Sequence, residues 1–360
     1  MATSITGEKE HMEALSLLSL APDRAEAALN HVAGLNPQQR EEFLELAASH
    51  HVVVRALRPV RESLHNNQSG LYHWTAASLY AEQERIDNAL SYLQRICREL
   101  EEAGCRVVVM KSLDHTPDLG NDLDLYTTAD EHQVREVFVK RFGAHLEARS
   151  WGDRLAHKWN FAIPGLRESV EVHSQRLGQT GEHVRMAQRF VERRVPMQVG
   201  PYTFPTPASE ESIIVAALQR MYRHFYFRIC DMANSAELVE GGTVDFVELR
   251  QAATLGGIWP GVATYLKIVS DYVKSYRGYD LDLPEPVLAA ACFGGEKLFV
   301  QRRFLRIPLM PEGAALYTRQ VTTTALRGDV PAIFRLSLLP PLAATAALAF
   351  RITGDDKGIW

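Results

Sequence analysis

VVVMKSLDHTPDLGNDLDLYT, residues 107–127, is the stretch that decides which fold the sequence predicts. Its first four residues continue a short, mostly β-branched run that begins at Cys105 after a helical region. Such a run is typical of a buried strand. A polar loop over residues 112–121 then leads to a second predicted strand over residues 122–126. The stretch therefore predicts a strand, a turn and a second strand.

The second predicted strand carries two carboxylates. Asp122 and Asp124 alternate with Leu123 and Leu125. Because successive side chains of a strand point to opposite faces, both acids project from one face while both leucines enter the core. Two carboxylates on one face repel each other unless a cation neutralises them, and Mg²⁺ favours a few carboxylates together with phosphate oxygens. The pattern indicates a divalent-metal site with a phosphate-bearing partner.

A third carboxylate follows about fifty residues later. In the segment SVEVH, residues 169–173, Val170 and Val172 face inward while Glu171 and His173 occupy the opposite face. The turn Pro164-Gly165 precedes this segment and follows another predicted strand, residues 157–163, so the two strands are expected to form a hairpin. Glu171 is therefore expected on a strand neighbouring the two aspartates. His157 and Lys158 begin the other strand and are weaker candidates for reaching the same cleft.

A second copy of the string DLDL occurs at residues 280–283. No buried strand and small-residue turn lie upstream of it, and Pro284 follows it directly. We therefore expect this copy to bind no metal.

The motifs around the first copy resemble those of the DNA polymerase β-like nucleotidyltransferase superfamily, and in particular a large bacterial group with LKG, DxD and ElH motifs. Met110-Lys111-Ser112 stands at the LKG position, although it contains no glycine. Nine residues separate Ser112 from Asp122, within the spacing of the superfamily. The segment 171–173 stands at the ElH position. The resemblance covers roughly residues 100–240.

The resemblance implies a set of metal ligands: Asp122 and Asp124, with Glu171 either binding metal or activating the acceptor hydroxyl. It implies Mg²⁺ or Mn²⁺ as cofactor. The reaction would be attack of an acceptor hydroxyl on the α-phosphate of a nucleoside triphosphate, with ATP as the expected donor and pyrophosphate as the leaving group.

The nucleotide side of the implied site comprises Lys111, Ser112, Gly120 and His173. The Lys111 ammonium can pair with β- or γ-phosphate oxygens, and the Ser112 hydroxyl can donate a hydrogen bond to the same group. Gly120 directly precedes the acidic strand, and His173 is expected to support the site through a hydrogen bond.

Composition and periodicity indicate what surrounds the α/β segment. The 360 residues carry a net charge of −5 and four scattered cysteines, which argues against coating of nucleic acid and fits a reducing cytoplasm. Helical periodicity surrounds the α/β segment, so we predict an α+β fold with three parts: a helical region (1–87), a nucleotidyltransferase domain (88–206) and a helical domain (207–360). The apolar run 336–350 contains two prolines and is interpreted as buried helix with no membrane contact.

Other charged residues receive simpler interpretations. Two basic clusters, one at Arg185, Arg189 and Arg193 and one over residues 297–306, are interpreted as solvated faces, with RNA binding as the less favoured alternative. Arg228 and Asp231, three residues apart, are expected to form an ion pair within one helix. The pair at residues 50–51, two histidines, is expected on a helix surface.

The acceptor is not specified by the sequence. A small molecule, a peptide or protein, and an RNA end are all compatible, and RNA is not favoured. Two other functions stay open. One is a non-catalytic binding protein on a degenerate nucleotidyltransferase fold, suggested by the missing glycine at Lys111-Ser112. The other is a tRNA-modifying toxin. The oligomeric state is also left open.

Overall fold

The computed structural model describes residues 5–64 and 69–345. The N-terminal part consists of helices. They are α1 (Ile5–Leu20), α2 (Glu26–Gly34), α3 (Pro37–Ser49), α4 (Val53–Ser63) and α5 (Gly70–Glu102). Helix α5 begins where the Ser69 hydroxyl accepts a hydrogen bond from the Tyr72 N–H at 3.1 Å. Because α5 runs without a break to Glu102, the predicted boundary between residues 87 and 88 falls inside it.

The α/β segment contains a five-stranded mixed sheet. Its strands are β1 (Val107–Met110), β2 (Asp122–Thr127), β3 (His145–Leu146), β4 (Lys158–Ala162) and β5 (Ser169–Ser174). They lie in the order β1-β2-β5-β4-β3, with β2 and β5 parallel and the other pairs antiparallel. Helices α6 (Glu131–Phe142), α7 (Trp151–Leu155) and α8 (Arg185–Glu192) and the hairpin of β6 (Val195–Val199) and β7 (Tyr202–Thr206) complete the segment. The predicted α+β class and the predicted hairpin of β4 and β5 are confirmed.

The C-terminal part is mainly helical. Its helices are α9 (Ser209–Ala217), α10 (Ile229–Glu240), α11 (Phe246–Leu255), α12 (Trp259–Arg277), α13 (Glu285–Ala290), α14 (Ala314–Leu326) and α15 (Val330–Ser337). Helix α9 continues as a wider π-helical segment, Leu218–His224. The prediction of helices alone is wrong here, because a small sheet joins β8 (Tyr226–Phe227), β9 (Phe299–Gln301) and β10 (Phe304–Arg306). Strands of two or three residues leave no periodic signal, and β8 pairs with a strand nearly eighty residues away.

The interpretation of the run 336–350 as buried helix is wrong for the part that the structure describes. Residues 339–345 are helical, but their side chains are half-buried or exposed, and only Leu336 before them is buried. Residues 346–350 lie outside the described residues. No described helix is long and apolar enough to cross a lipid bilayer.

The two faces of the five-stranded sheet differ in chemistry. Val107, Val109, Leu123 and Leu125 point to one side and are buried in a core that includes residues of α5 and α6. On the other side, Val108, Met110 and Tyr126 join a second core formed with α8 and the C-terminal helices. Asp122, Asp124, Glu171 and His173 of β2 and β5 also lie on this second side. The sheet therefore presents its polar groups toward the C-terminal part of the chain.

The loop between β1 and β2 is held in place by the N-terminal helices. Arg85 on α5 donates hydrogen bonds to the carbonyl oxygens of Leu119 (2.9 Å) and Gly120 (3.1 Å) and forms an ion pair with the buried Glu168 at 2.5 Å. Just before Leu119 and Gly120, the Asp118 carboxylate accepts hydrogen bonds from the backbone N–H groups of residues 54 (2.6 Å) and 55 (3.0 Å), at the start of α4. These contacts fix the position at which β2 begins.

Candidate active site

The register of β2 and β5 brings the predicted acids together. Asp124 lies directly beside Glu171 on the neighbouring parallel strand, and Asp122 lies beside Ser169. Because both strands alternate with the same phase, Asp122, Asp124, Glu171 and His173 share one face of the sheet. Ligand atoms of Asp124, Glu171 and His173 all lie within 4.8 Å of one another. We call these three residues the acidic cluster; Asp122 lines the same cleft, two residues before it.

The acidic cluster fits a divalent cation by its donor set. It offers two carboxylates and an imidazole, and burial lowers the pKa of His173 to about 4, so that the ring is neutral and keeps a lone pair for a metal. The His173 Nε2 atom lies 2.7 Å from a Glu171 oxygen, while its buried Nδ1 atom has no hydrogen-bond partner. Buried polar atoms seldom go without a partner, so the Nδ1 atom of His173 fits the role of a ligand atom.

Two lysines balance the charge of the cluster. The Lys111 ammonium contacts Asp124 and lies 3.8 Å from Glu171, and the Lys158 ammonium lies 2.8 Å from Glu171 and 3.0 Å from Asp153. Although burial opposes it, these ammonium groups hold the pKa of Glu171 well below its usual range. Burial raises the pKa of Asp124 to about 7 despite the contact with Lys111. A metal ion bound to Asp124 would compete with Lys111 for the carboxylate.

The turn that carries Lys111 has an unusual backbone. Lys111 adopts φ = +57° and ψ = −48°, a region that strains any residue with a side chain. The next residue, Ser112, is buried, and its hydroxyl accepts a hydrogen bond from the Asp124 N–H at 2.7 Å and lies 3.2 Å from the Met110 carbonyl oxygen. The Ser112 side chain therefore ties the turn to β2.

Arginines form the wall opposite the carboxylates. Arg220 and Arg223 come from the π-helical segment after α9, and Arg228 precedes α10. Together with Asp122, Asp124, Glu171 and Gly120 they line a cleft of about 230 Å³. Among the described residues, Arg223 and Arg228 have no carboxylate within ion-pair distance. Two guanidinium groups with no acidic partner in the described part of the chain, together with a carboxylate pair, have the charges that a phosphate chain accompanied by a divalent cation would require.

The expected ion pair between the side chains of Arg228 and Asp231 is wrong. Asp231 is buried and pairs with Arg220 at 2.7 Å, and its second contact in this region is with the backbone N–H of residue 228 at 2.6 Å. Asp231 therefore neutralises one arginine of the wall and leaves Arg228 free. The spacing of three residues suggested a local pair, whereas packing of α10 against the π-helical segment supplies a closer partner.

The histidines at residues 50 and 51 are not on a helix surface, and this expectation is wrong. Both are buried. The His50 Nε2–H donates to the Arg303 carbonyl oxygen at 2.7 Å, and the His50 Nδ1 atom accepts from the Ile229 N–H at 3.0 Å. His51 lines the cleft and stacks on His115, with ring centroids 5.2 Å apart. Burial lowers the pKa of both stacked rings, so they present neutral aromatic surface at the end of the cleft.

The basic clusters are engaged within the chain. Arg189 pairs with Glu211 and Glu248, both at 3.1 Å, and Arg193 pairs with the same two acids and with Glu210. In the second cluster, Lys297 pairs with Glu312 and Arg303 with Glu45. The interpretation as a solvated face is wrong for Arg189 and Arg193, which are half-buried and engaged by carboxylates. The side chains of Lys297 and Arg303 are exposed where they form their ion pairs, as a solvated face requires.

Sequence reasoning missed or undervalued three members of the site. Lys158 lies opposite His173 in the β4–β5 register, so counting residues back from the Pro164-Gly165 turn would have placed it on the acidic face. Arg223 and Arg228 gave no comparable signal, since a π-helical segment breaks the usual helical period and the cleft joins elements far apart in sequence.

Comparison with known proteins bears on this arrangement. Residues 36–270 match a protein family described as uncharacterised nucleotidyltransferase. The match extends from the start of α3 into α12 and includes the five-stranded sheet and the whole cleft. The chain therefore belongs to this nucleotidyltransferase family. A search of curated proteins found no match.

Proposed function

We propose that this protein is a divalent-metal-dependent nucleotidyltransferase of the polymerase β-like type. It would transfer a nucleoside monophosphate from a nucleoside triphosphate, with ATP as the expected donor, to a hydroxyl acceptor. The observation that carries the proposal is the pairing of Asp124 with Glu171 across parallel strands, opposite the unpaired Arg223 and Arg228.

Each wall of the cleft would have its own role. Asp122, Asp124 and Glu171 would hold Mg²⁺ or Mn²⁺, which supplies charge neutralisation for the phosphates and a lower pKa for a bound hydroxyl. Arg223 and Arg228 would bind phosphate oxygens from the opposite side. On binding of the triphosphate, the Lys111 ammonium would leave Asp124 and pair with a β- or γ-phosphate oxygen.

The transfer step is a substitution at the α-phosphorus. The acceptor oxygen forms a bond to the α-phosphorus, the bond from that phosphorus to the bridging oxygen of the β-phosphate breaks, and pyrophosphate leaves. The acceptor proton passes to a carboxylate oxygen of Glu171. Lys158 and His173 orient that carboxylate through contacts of 2.8 Å and 2.7 Å. Arginines beside the departing pyrophosphate stabilise its charge.

A second candidate, a binding protein without catalytic activity, is favoured by one observation: the Lys111 ammonium already contacts Asp124, where a cation would bind. Isothermal titration with each nucleoside triphosphate and Mg²⁺ separates the two candidates. The enzyme requires tighter binding with Mg²⁺ than without it, and Asp122→Asn should remove this difference. Binding that is equal with and without Mg²⁺ would support the binding protein.

Donor and acceptor class can be tested together. We expect incubation with α-labelled nucleoside triphosphates, Mg²⁺ and a cell extract to give a labelled product whose size identifies a small molecule, a protein or an RNA. Asp124→Asn protein provides the matched control. No observation favours the toxin, since Arg189 and Arg303 are paired with acids.

A further inference from the structure

A second cavity adjoins the cleft and differs from it in chemistry. It has a volume of about 280 Å³, and most of its surface is apolar. Its lining includes Leu177 after β5, Val215 and Leu218 around the end of α9, and Leu309, Ala314 and Tyr317 from the C-terminal part. We call it the apolar pocket.

The apolar pocket and the cleft meet at the acidic cluster. Lys111 and Arg223 line both cavities, and His173 of the acidic cluster lines the apolar pocket. A molecule in the pocket would therefore have one end beside Glu171, the residue that contacts His173 at 2.7 Å. A triphosphate held by the arginine wall would approach the same point from the other side.

Several polar side chains that line the pocket are engaged with the protein. The Tyr317 hydroxyl donates to the Leu336 carbonyl oxygen at 2.8 Å, and Gln320 lies 3.4 Å from a nitrogen of His183. Glu182 accepts hydrogen bonds from the N–H (2.9 Å) and the hydroxyl (3.1 Å) of Thr180. Arg223, which lines both the pocket and the cleft, has no carboxylate within ion-pair distance among the described residues. The interior therefore favours an uncharged, apolar occupant.

Part of the pocket lies outside the family match. Leu309, Ala314 and Tyr317 come after residue 270, where the match ends. The cleft, in contrast, lies entirely within the matched residues. The cleft, within the matched residues, would bind the nucleotide that supplies the transferred group. The pocket, which lies partly outside them, would bind the molecule that receives this group.

We propose that the apolar pocket binds the acceptor, and that the acceptor is an uncharged small molecule with an apolar body and a hydroxyl group at one end. This inference rests on the proposed function. A dry cavity of about 150 Å³ holds one benzene ring, so 280 Å³ accommodates an apolar body of about ten carbon atoms. The terminal hydroxyl would attack the α-phosphorus, lose its proton to Glu171 and displace pyrophosphate.

Straight-chain primary alcohols are the probe for this pocket. We expect their affinity in calorimetric titration to rise about four-fold per added methylene, from butanol up to about decanol, as burial of each group predicts. With α-labelled ATP and Mg²⁺, octanol should yield a labelled octyl nucleotide ester. Ala314→Trp, which fills the pocket, should weaken octanol binding by about ten-fold or more and abolish the ester, while binding of ATP with Mg²⁺ stays within two-fold.

Neighbouring alanines supply matched controls. Ala315 is exposed on the same helix and does not line the pocket, so Ala315→Trp should behave as wild type. Ala343, which is exposed and lines the pocket, gives a second filling variant in case Ala314→Trp does not fold, with Ala344→Trp as its control.

The outcomes separate the two proposals. If ATP binds with Mg²⁺ but alcohols show no dependence on chain length, or if both filling variants bind octanol as wild type does, the acceptor pocket is overturned and the proposed function stands. If octanol binds and both filling variants block it, but no nucleoside triphosphate binds with Mg²⁺, the proposed function fails and the acceptor role fails with it.

Discussion

The tetrapeptide Asp-Leu-Asp-Leu occurs twice in this protein, and the two copies have different environments. Residues 122–125 form most of β2, in the interior of the sheet, while residues 280–283 lie in the loop between α12 and α13. Both leucines of each copy are buried, so alternation has the same effect on the apolar side chains in both places. The aspartates differ, because Asp124 faces Glu171 whereas Asp280 is exposed and pairs with Lys274 at 2.7 Å.

Alternation buries the leucines in both copies, whereas the neighbouring strands decide the burial and the chemistry of the aspartates. The first copy has a third acid beside it, a strained turn before it and arginines opposite it. In the second copy, the Leu281 N–H donates to Ser270 at 3.0 Å, and the segment passes on to Pro284 and α13. Four predictions use the second copy as a control for the first.

The largest difference is expected in catalysis. Asp124→Asn should lower the rate of nucleotidyl transfer by about 10³-fold or more, since metal binding contributes several kcal/mol to stabilisation of the transition state. Asp282→Asn should leave the rate unchanged. Transfer of α-labelled nucleotide under identical conditions measures both. Equal activities of the two variants would contradict the assignment of the acidic cluster as the active site.

The ion pairs near the two copies should contribute differently to the stability of the folded protein. Arg85→Ala removes the partner of the buried Glu168 and two hydrogen bonds to the loop before β2, so we expect a loss of about 3–5 kcal/mol in the free energy of unfolding. Lys274→Ala breaks an exposed, solvent-screened pair and should leave the urea midpoint of unfolding nearly unchanged. Urea unfolding compares the two variants. A loss below about 1 kcal/mol for Arg85→Ala would mean that the loop is held by other contacts.

Replacing a leucine should destabilise the protein to a similar extent in both copies, unlike the aspartate substitutions, whose effects on activity should differ. Leu123→Ala and Leu281→Ala each remove a buried side chain and leave a cavity, and each should cost about 2–5 kcal/mol of unfolding free energy. Thermal or urea unfolding of both variants tests this. If only one of the two variants is destabilised, the two leucines do not make equivalent buried contacts.

The smallest effect is expected in nucleotide affinity. Arg223→Ala should weaken binding of ATP with Mg²⁺ by about 10- to 100-fold, the amount expected for one charge-assisted hydrogen bond to a phosphate. Lys274→Ala, which removes the cation beside the second copy, is the control and should bind nucleotide as wild type does. Unchanged affinity in Arg223→Ala would place the triphosphate elsewhere in the cleft.

Much of the site follows from local pattern. The alternation in residues 122–125 and 169–173 correctly predicted two strands with buried aliphatic residues, and the Pro164-Gly165 turn predicted the hairpin. Such predictions succeed because the period of a strand depends only on neighbouring residues. The roles of Asp122, Asp124 and Glu171, and those of Lys111, Ser112, Gly120 and His173, stay predictions for the experiments above.

The parts that the sequence did not predict depend on contacts between distant segments. The small sheet of β8, β9 and β10 joins strands too short to show a period. His51 is buried because it stacks on His115, and Asp231 pairs with Arg220 because α10 packs against the π-helical segment. No local spacing contains that information.

The sequence by itself determined the α+β class, the acidic strand with its leucines inward and the third carboxylate on a neighbouring strand, since these follow from the two-residue period and from turn residues. Only the tertiary structure decided that Lys158 neutralises Glu171, that Arg223 and Arg228 face the acids unpaired, and that an apolar pocket opens beside His173. The physical reason is that charge pairing and cavities depend on which surfaces pack together, and that choice involves residues from every part of the described chain.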